Sequence, residues 1–359
     1  MTTRSFDHGG TVFAVARHLG VQPEELLDFS ASINPLGPAP GVREAVGAAF
    51  DRLVHYPDSE AAELREALAR HHGLVPEHIC VANGSTELIY LMPRLVSGRR
   101  GLVIAPPFSE YARSLLREGW TVDYLDLSPD GGFSLSPEAL ERRLADGYDL
   151  LFLGNPGNPT GKLITRGEIA ALFQLCRRHG AFLVIDEAFI DFSEEESAKS
   201  LVAGTGGGVV LRSLTKFYAI PGLRLGYAVG CREVIARLAA LRAPWSVNTL
   251  AQAAGLASLA DPAYAARTRG FIAAERERLA AGLTALPGLS VYPSAANYLL
   301  VRLGGGLTAG ELAAGLLAAR ILIRDCASFR GLDERFFRVA VRSREENDRL
   351  VDAVAELLR

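Results

Sequence analysis

The chain lacks several features that define large protein classes. None of its apolar runs approaches the roughly 18 residues that a membrane-spanning helix needs, although 49% of its 359 residues are hydrophobic. Its formal net charge of -3 gives no general attraction to nucleic acid or to anionic membranes. The start, MTTRSFDHGG, shows no charged-then-apolar signal pattern. We therefore expect a cytoplasmic protein that binds neither nucleic acid nor membrane.

Cysteine is also scarce. The four cysteines are scattered, at Cys80, Cys176, Cys231 and Cys326. They lack the C-x-x-C spacing of a metal or redox site. We interpret them as cytosolic thiols and predict no metal site.

Short apolar runs alternate with helical stretches between residues 56 and 250. In chain order the runs are ICVAN, GLVIA, DLLFLG, AFLVID, GVVLRS and GYAVG. Such continuous runs are typical of strands buried on both faces, and residues 166–179 show the apolar stripe of a helix between two of them. The alternation predicts an α/β fold with a mostly parallel sheet, in which ligands bind at the carboxyl ends of the strands.

The pattern changes after residue 262. A long helix rich in Ala, Arg and Glu is predicted over residues 264–286, followed by strand-like runs and a terminal helix from Arg344. We predict a large α/β domain over residues 46–262 and a small α+β domain over residues 263–359. Residues 1–45 are expected to join the small domain.

Two residues whose side chains could take part in catalysis follow predicted strands. Lys216 lies among apolar neighbours in RSLTKFYAIPGLRLGY, and a partly desolvated lysine favours its neutral, nucleophilic amine. Asp186 ends the run AFLVID, where a buried carboxylate needs a cationic partner. On its own this position favours a structural ion pair over a partner for a protonated pyridine nitrogen.

Two turns follow other predicted strands. Asn158, in NPGNPTG, could point its amide at a ligand, although such a sequence is usually only a turn. NGST places Gly84, Ser85 and Thr86 at a helix start that could bind a phosphate. Ordinary capping by one of the two hydroxyls is the alternative. The stretch GTGGG precedes a strand instead of opening a helix, so we interpret it as a loop.

Taken together and in this order, NGST, NPGNPT, DEAF, SLTK and the arginine eight residues after the lysine resemble a known family. It is that of the fold-type I pyridoxal phosphate enzymes, the aspartate aminotransferase superfamily, and the resemblance covers nearly the whole chain. It implies that fold, with a large mostly parallel-sheet domain, pyridoxal 5'-phosphate as cofactor, and a homodimer with shared active sites. It also implies that Lys216 forms a Schiff base with the cofactor and later moves protons, and that Asp186 pairs with the ring nitrogen.

The same resemblance implies the other cofactor contacts. Asn158 would bind the ring hydroxyl, and Phe108 would stack on the ring, with Tyr111 as the alternative. The phosphate would be held by Gly84, Ser85, Thr86, Ser213 and Arg224. Tyr56, in HYPD, would reach the phosphate bound by the neighbouring subunit. Phe189 stands where many members have a tyrosine that bonds to the ring oxygen, so Asn158 carries more of that task.

The N-terminal segment HGG…LLDFSASINPLGP, with APWSVN and ANYLLVRL, resembles one branch of the family, the L-threonine-O-3-phosphate decarboxylases. This resemblance implies conversion of L-threonine O-3-phosphate to (R)-1-amino-2-propanol O-2-phosphate in cobalamin biosynthesis. A neighbouring branch, the histidinol-phosphate aminotransferases, and a non-catalytic pyridoxal-binding module are the alternatives. The choice between phosphothreonine and phosphoserine stays open.

A phosphorylated substrate would need its own anchors. The residues expected to grip its phosphate are His8, Ser32 and Arg324. Arg324 ends the apolar run ILI, a poor place for an unpaired guanidinium, so an anionic ligand is plausible there. Asn158 is also expected to contact the substrate. Arg342, in VAVRS, is expected to bind and orient the α-carboxylate, whereas Arg338 is expected at the surface.

Overall fold

Helices and strands alternate along most of the chain in the computed structural model, which describes residues 9–359. The α-helices of this part are α1 (Val12–Leu19), α2 (Pro40–Ala49), α3 (Ala62–His72), α4 (Gly84–Leu95), α5 (Ser109–Arg117), α6 (Pro137–Leu144), α7 (Arg166–Arg178), α8 (Lys199–Gly204), α9 (Leu214–Phe217), α10 (Arg232–Leu241), α11 (Thr249–Leu259), α12 (Pro262–Thr284), α13 (Ala309–Ala318) and α14 (Arg344–Leu357). The strands are β1 (Leu27–Asp28), β2 (Ile79–Ala82), β3 (Arg100–Ala105), β4 (Thr121–Asp126), β5 (Leu150–Gly154), β6 (Phe182–Asp186), β7 (Gly208–Ser213), β8 (Gly226–Gly230), β9 (Leu289–Val291), β10 (Tyr298–Leu303), β11 (Ile321–Leu322), β12 (Arg324–Asp325) and β13 (Phe336–Ala340). Short 3-10 helices cover Pro23–Glu25, Phe50–Val54, Pro76–His78, Ile190–Glu196 and Pro221–Leu223.

The large sheet has seven strands in the order β2-β8-β7-β6-β5-β3-β4. Strand β8 is antiparallel to both of its neighbours, and the other pairs are parallel. The predicted α/β class with a mostly parallel sheet is therefore confirmed, and all six predicted runs form strands. Strand β4, TVDYLD, was missed because it lies at the sheet edge with partly exposed side chains and has no continuous apolar run.

Side chains of the central strands alternate between two buried layers. Leu151, Leu183 and Ile185 face one side, where they pack with residues of α6 and α7. Phe152 and Val184 face the other side, where they pack with residues of α4, α5 and α10. We call these sides the α7 layer and the α4 layer. This two-sided burial is what the continuous apolar runs predicted.

The carboxyl ends of five strands meet at one edge of the large sheet. Strands β3, β5, β6 and β7 are parallel, and β2 runs in the same direction because β8 is antiparallel to both β2 and β7. The segments that follow these strands start at Asn83, Pro106, Asn155, Glu187 and Leu214. The predicted motifs NGST, NPGNPT, DEAF and SLTK therefore lie side by side.

The C-terminal part is built around a four-stranded antiparallel sheet, in the order β12-β13-β10-β9. Residues of α12, α13 and α14 pack with it in a separate buried cluster that includes Phe29. Strand β1 pairs with β11, so the N-terminal segment joins this part of the fold, whereas α2 packs against α11. The domain boundaries themselves stay a prediction.

Helix starts in this structure follow sequence signals. Capping boxes open α7, α13 and α14, at Thr165, Thr308 and Ser343. The side chain of Asp261 caps α12, which has 23 residues and carries several charged side chains. Over residues 9–359, none of the helices is both long enough and apolar enough to span a membrane.

Candidate active site

A cleft of about 780 Å³ opens at the carboxyl edge of the large sheet and extends to the C-terminal sheet. Its size is that of a site for a small organic ligand. The predicted site residues that line it are Ser32, Thr86, Phe108, Asn158, Lys216, Arg224 and Arg324. The structure therefore brings together most of the residues that the motifs singled out.

Lys216 projects into this cleft from α9, which begins directly after β7. Its Nζ donates a hydrogen bond to Oγ1 of Thr215 at 2.8 Å. The pKa of Lys216 is lowered from 10.5 to about 8, chiefly by burial and in part by the positive charges of Arg224 and Arg338, while Asp186 opposes the shift. A substantial fraction of this amine is therefore neutral near pH 8, as a nucleophile requires.

Asp186 ends β6 behind the cleft and is buried. Its Oδ2 accepts a hydrogen bond from the hydroxyl of Tyr111 at 2.7 Å, and its Oδ1 accepts one from the backbone N–H of Ala188 at 3.1 Å. Burial raises the pKa of Asp186 above its ordinary 3.8, while these hydrogen bonds and the charge of Lys216 act in the opposite direction. A cationic ring nitrogen would supply the partner that a buried carboxylate needs.

Phe108 and Tyr111, the two candidates for stacking, have different positions. Phe108 lines the cleft just before α5. Tyr111 lies behind it, stacked on Phe152 with ring centroids 5.0 Å apart and planes 3° from parallel. Because its hydroxyl binds Asp186, Tyr111 supports the carboxylate and leaves Phe108 as the residue that can face a ligand ring. No residue pattern predicted the hydrogen bond between Tyr111 and Asp186.

A candidate phosphate site lies where α4 begins. Gly84 is its first residue and has a φ of 76°, a conformation that disfavours other residues. A Cβ at this position would lie 2.9 Å from Nη2 of Arg224, so the guanidinium lies directly against the helix N-terminus. Helix N-terminal N–H groups and a guanidinium both bind phosphate. Ser213, at the end of β7, is another residue predicted to bind the phosphate. Its buried hydroxyl bonds to Thr215, at 2.7 Å from Oγ1.

Asn158 reaches the cleft from the turn after β5. Its Oδ1 accepts a hydrogen bond from Arg338, which leaves the amide nitrogen as the group that can donate to a ligand. Phe189 lines the same wall, and the Nζ of Lys216 lies 5.9 Å from its ring centroid. A phenylalanine offers no hydrogen bond there, which agrees with the larger share assigned to Asn158.

The expectations for the two C-terminal arginines were wrong in their positions. Arg338, expected at the surface, lies in β13, is 6% exposed, lines the cleft and donates to the backbone oxygen of Ser30. Arg342 does not line the cleft, because β13 ends at Ala340 and the chain then turns into α14. There Arg342 pairs with Glu346 at 2.8 Å. Arg338 therefore replaces Arg342 as the candidate for binding a carboxylate.

Arg324 meets the cleft from β12 and is 7% exposed. Its Nη2 donates to Oγ of Ser328 at 3.0 Å, and its guanidinium lies over the ring of Phe329 at 5.2 Å from the centroid. Ser32 is also buried at the cleft, and its Oγ has no hydrogen-bond partner within residues 9–359. A buried hydroxyl without a partner suits a site that receives a polar ligand. His8 lies outside the described residues.

Tyr56 lies away from this cleft, beside a different groove. It is 78% exposed and stacks on Trp245, with ring centroids 4.6 Å apart. Within a single chain it therefore cannot contact a ligand in the cleft. Its predicted role, toward the neighbouring subunit, stays a prediction.

The residues present fit pyridoxal phosphate. Lys216 offers a buried amine for an aldehyde, and Asp186 offers a buried carboxylate for a ring nitrogen. The start of α4 and Arg224 offer a phosphate site, and the absence of a Cβ at Gly84 lets the Arg224 guanidinium lie against the helix start. These three groups match three polar parts of the cofactor: its aldehyde, its ring nitrogen and its phosphate.

Comparisons with known proteins agree with this geometry. Residues 24–354 match the family model described as aminotransferase class I and II. The threonine-phosphate decarboxylase of Salmonella typhimurium is 42% identical to this chain over 353 residues, which are 98% of this chain and 96% of that protein.

Two solved structures, each 29% identical to this chain, have the same fold. The histidinol-phosphate aminotransferase from Clostridium acetobutylicum matches with a TM-score of 0.87, and the alignment covers 93% of this chain and 99% of the other. The L-threonine-O-3-phosphate decarboxylase from Porphyromonas gingivalis matches with a TM-score of 0.82 and the same coverage, 93% and 99%. Overall shape does not separate these two activities, so residues in the cleft must do so.

Proposed function

We propose that this chain, which belongs to the aminotransferase class I and II family, decarboxylates L-threonine O-3-phosphate with pyridoxal 5'-phosphate as its cofactor. The product would be (R)-1-amino-2-propanol O-2-phosphate, and the reaction would belong to cobalamin biosynthesis. The 42% identity to the Salmonella decarboxylase over 98% of the chain supports this choice.

A pair of buried arginines is the structural observation that carries the proposal. Arg324 and Arg338 are cross-strand neighbours in β12 and β13, and both line the cleft. They are 7% and 6% exposed, so each positive charge lies in a partly dry site, where an anion binds strongly. L-threonine O-3-phosphate carries a phosphate and a carboxylate at once, and two arginines match these two groups. Histidinol phosphate has no carboxylate, so in the alternative activity the carboxylate would come only from the oxo acid.

The arginine pair also offers an explanation of which bond to Cα breaks, the bond to the carboxylate or the bond to the proton. We assign the substrate phosphate to Arg324 and the α-carboxylate to Arg338. Holding both ends of the substrate fixes the rotation about the bond between Cα and the amino nitrogen, using binding energy remote from the reacting bond. Arg338 would orient the carboxylate rather than speed its departure, because a salt bridge stabilises the charge that must be lost.

The remaining residues act on charge and protons. When bound, pyridoxal phosphate supplies an electron sink for the pair released as a bond to Cα breaks. Asp186 would hold a proton at the ring nitrogen, and Asn158 would donate to the ring hydroxyl. The Nζ of Lys216 would return a proton to Cα after carbon dioxide leaves, because the amine lines the cleft and lies 5.9 Å from the ring centroid of Phe189.

We further propose a homodimer in the cytoplasm. Five exposed apolar side chains group in the segment 50–56 and at Trp245: Phe50, Leu53, Val54, Tyr56 and Trp245. Exposed apolar groups of this kind mark a protein interface, and a second copy of this chain would bring Tyr56 to the partner's cofactor phosphate. The four cysteines are free, which fits a reducing compartment. Light scattering on the purified protein should give twice the mass of one chain, and a monomer with full activity would exclude shared sites.

The decisive assay for the proposed function offers L-threonine O-3-phosphate without any oxo acid. We expect carbon dioxide and the amino-propanol phosphate in equal amounts. L-serine O-phosphate, tested in parallel, measures how much the substrate methyl group contributes. Turnover of histidinol phosphate that requires 2-oxoglutarate, without carbon dioxide release from L-threonine O-3-phosphate, would instead indicate the aminotransferase.

A further inference from the structure

A group of buried charged residues lies on the opposite face of β6 and β7 from Asp186 and Ser213. Because side chains alternate along a strand, the neighbours Glu187 and Arg212 point toward the α7 layer. The side chains of both are fully buried, and Nη1 of Arg212 lies 3.4 Å from Oε2 of Glu187. We call the group formed by Arg212, Glu187, Asp191, Glu194 and Ser197 the Arg212 cluster.

Hydrogen bonds connect this cluster densely. Nη2 of Arg212 donates to Oδ1 of Asp191 at 3.0 Å and to Oε2 of Glu194 at 2.5 Å. Its Nη1 donates to the hydroxyl of Ser197 at 3.3 Å. Glu187 accepts from that hydroxyl at 2.6 Å and from the N–H of Ala198 at 2.7 Å. The guanidinium therefore joins the end of β7 to the whole segment from residue 187 to residue 198.

Stability alone does not account for a cluster of this kind. Replacing a buried ion pair by apolar residues of similar size is often neutral or stabilising, and Val210, two residues before Arg212 on the same face of β7, already packs in an apolar layer. Apolar residues, however, make no directional hydrogen bonds that could fix the orientation of a neighbouring segment. The bonds to Asp191 and Glu194 fix the 3-10 helix Ile190–Glu196 relative to β7.

The fixed segment begins at the candidate active site. Asp186 and Phe189 immediately precede the 3-10 helix, and the N–H of Ala188 donates to Asp186. Arg212 itself lies near the end of β7, four residues before Lys216. One side chain therefore lies between the two stretches of chain that carry the buried carboxylate and the reactive amine.

We propose that Arg212 is a positioning residue, which holds the turn after Asp186 and the end of β7 in one arrangement so that the Lys216 amine and the Asp186 carboxylate both face the bound cofactor. The proposal rests on the proposed cofactor binding, and it assigns no direct contact with cofactor or substrate to Arg212. Of its three carboxylate partners, Glu187 is the one whose side chain is fully buried, like that of Arg212 itself.

The test compares the variants R212M, R212K and E187Q with a matched control, E275Q. Glu275 is also a buried carboxylate with arginine and asparagine partners, but it lies in α12, outside both the cleft and the cluster. The first measurement is the pH titration of the absorbance of bound pyridoxal phosphate in each full-length protein. The second is the pH dependence of Lys216 acylation after the cofactor has been removed, followed by mass spectrometry.

The chain suits the second measurement because it has three lysines: Lys162, Lys199 and Lys216. Lys162 is exposed and serves as the internal reference. In R212M we expect the pKa of Lys216 to rise from about 8 by about one unit or more. The absorbance midpoint should move as well, R212K should restore part of the wild-type behaviour, and E187Q should give a smaller shift in the same direction. E275Q should match the wild type in both titrations.

A folded R212M with wild-type midpoints and only a lower melting temperature would overturn the proposal, since Arg212 would then be merely structural. If R212M does not fold, R212K and E187Q decide in the same way, and unchanged midpoints in both would overturn it. If the wild-type protein binds no pyridoxal phosphate, the proposed function fails, but the Lys216 acylation still tests the role of Arg212.

Discussion

The cleft and the Arg212 cluster lie on opposite faces of the same two strands, and they balance charge differently. At the cluster, Arg212 and the adjacent Lys199 face three carboxylates, and each carboxylate contacts at least one of these cations. Every carboxylate of the cluster therefore has a cationic partner within the chain. Burial of such a set needs no further partner.

Positive charge dominates the cleft. Among the described residues that line it, six are cationic and one, Asp28, is a carboxylate. At the rim, Arg113 pairs with Glu110 and Arg330 with Asp126. The comparison shows that a buried cation is structural where the chain supplies the anions, and points to a ligand where the cations are in excess.

The largest expected effect removes the cleft's reactive amine. Lys216→Ala should abolish turnover and covalent cofactor attachment while circular dichroism stays that of the wild type. Borohydride reduction of the wild type, followed by peptide mapping, should place the cofactor on Lys216. With three lysines in the chain the assignment is unambiguous, and a label on Lys162 or Lys199 would show that the assignment is wrong.

Asp186 and Glu187 are sequence neighbours on opposite faces, so a pair of equivalent substitutions separates the two regions. Asp186→Asn should reduce turnover by orders of magnitude, because the ring nitrogen loses the partner that keeps it protonated. Glu187→Gln should retain much more activity. Steady-state rates of both variants measure this contrast, and a near wild-type rate for Asp186→Asn would mean that the ring nitrogen has another partner.

Arg324 should contribute affinity and reaction choice. Arg324→Ala should weaken binding of L-threonine O-3-phosphate by about 2–4 kcal/mol, the scale of a lost charge-assisted contact in a partly dry site. Cofactor occupancy should not change, since Arg224 and the start of α4 bind the other phosphate. The loosened substrate can rotate, so carbon dioxide release should fall more than exchange of the Cα proton.

Arg342→Ala is the matched control for this prediction, because Arg342 is a half-buried arginine outside the cleft. It should change substrate affinity little. A parallel fall of decarboxylation and proton exchange in Arg324→Ala would show that Arg324 supplies affinity alone, and the orienting role would pass to Ser32 or His8.

The smallest effect concerns the Arg212 cluster and the pH dependence of stability. Burial raises the pKa of Glu187 to about 7 and lowers the pKa of His72 to about 4. From pH 4.5 to 7 the folded state keeps a proton on Glu187 that the unfolded state has lost, so this group lowers stability as pH rises. From pH 4 to 6.5 the folded state lacks the His72 proton that the unfolded state binds, so this group raises stability as pH rises.

Each contribution amounts to about 3 kcal/mol over its window, and the two oppose each other between pH 4.5 and 6.5. The other charged or titratable groups around these two are His71, Asp191, Glu194, Lys199, Arg212 and Tyr227. Relative to wild type, the free energy of unfolding of Glu187→Gln should increase as pH rises from 4.5 to 6.5. That of His72→Gln should decrease over the same range. Urea unfolding at several pH values measures both, and identical slopes in all three proteins would contradict the two shifts.

Much of the fold and of the cofactor site could be predicted because their signals are local. A continuous apolar run predicts a buried strand. The motifs that contain Asp186 and Lys216 each lie within a few positions of such a run. The positions of Arg338 and Arg342 could not be predicted from local sequence patterns. Arg338 and Arg342 are four residues apart, and the end of β13 at Ala340 decides which one meets the cleft.

Contacts between distant segments could not be predicted from the sequence. Tyr111 reaches Asp186 across 75 positions, and Arg212 reaches Glu187 across 25. No residue type or spacing predicts such hydrogen bonds, because they depend on which side chains the sheet register brings together. The sequence marked both acids of the pair Asp186 and Glu187 through DEAF, but only the structure separates the one that faces the cofactor site from the one that faces the α7 layer.

The most direct test of the proposed decarboxylation follows one sample of wild-type protein with L-threonine O-3-phosphate in deuterated water by NMR. We expect a phosphorylated amino-propanol with a single deuteron on the carbon that lost the carboxylate, and little deuterium at Cα of the remaining substrate. The arginine pair would then hold the carboxylate, and not the Cα proton, in the bond-breaking orientation. Rapid exchange of deuterium into Cα of unreacted substrate, without decarboxylated product, would contradict it.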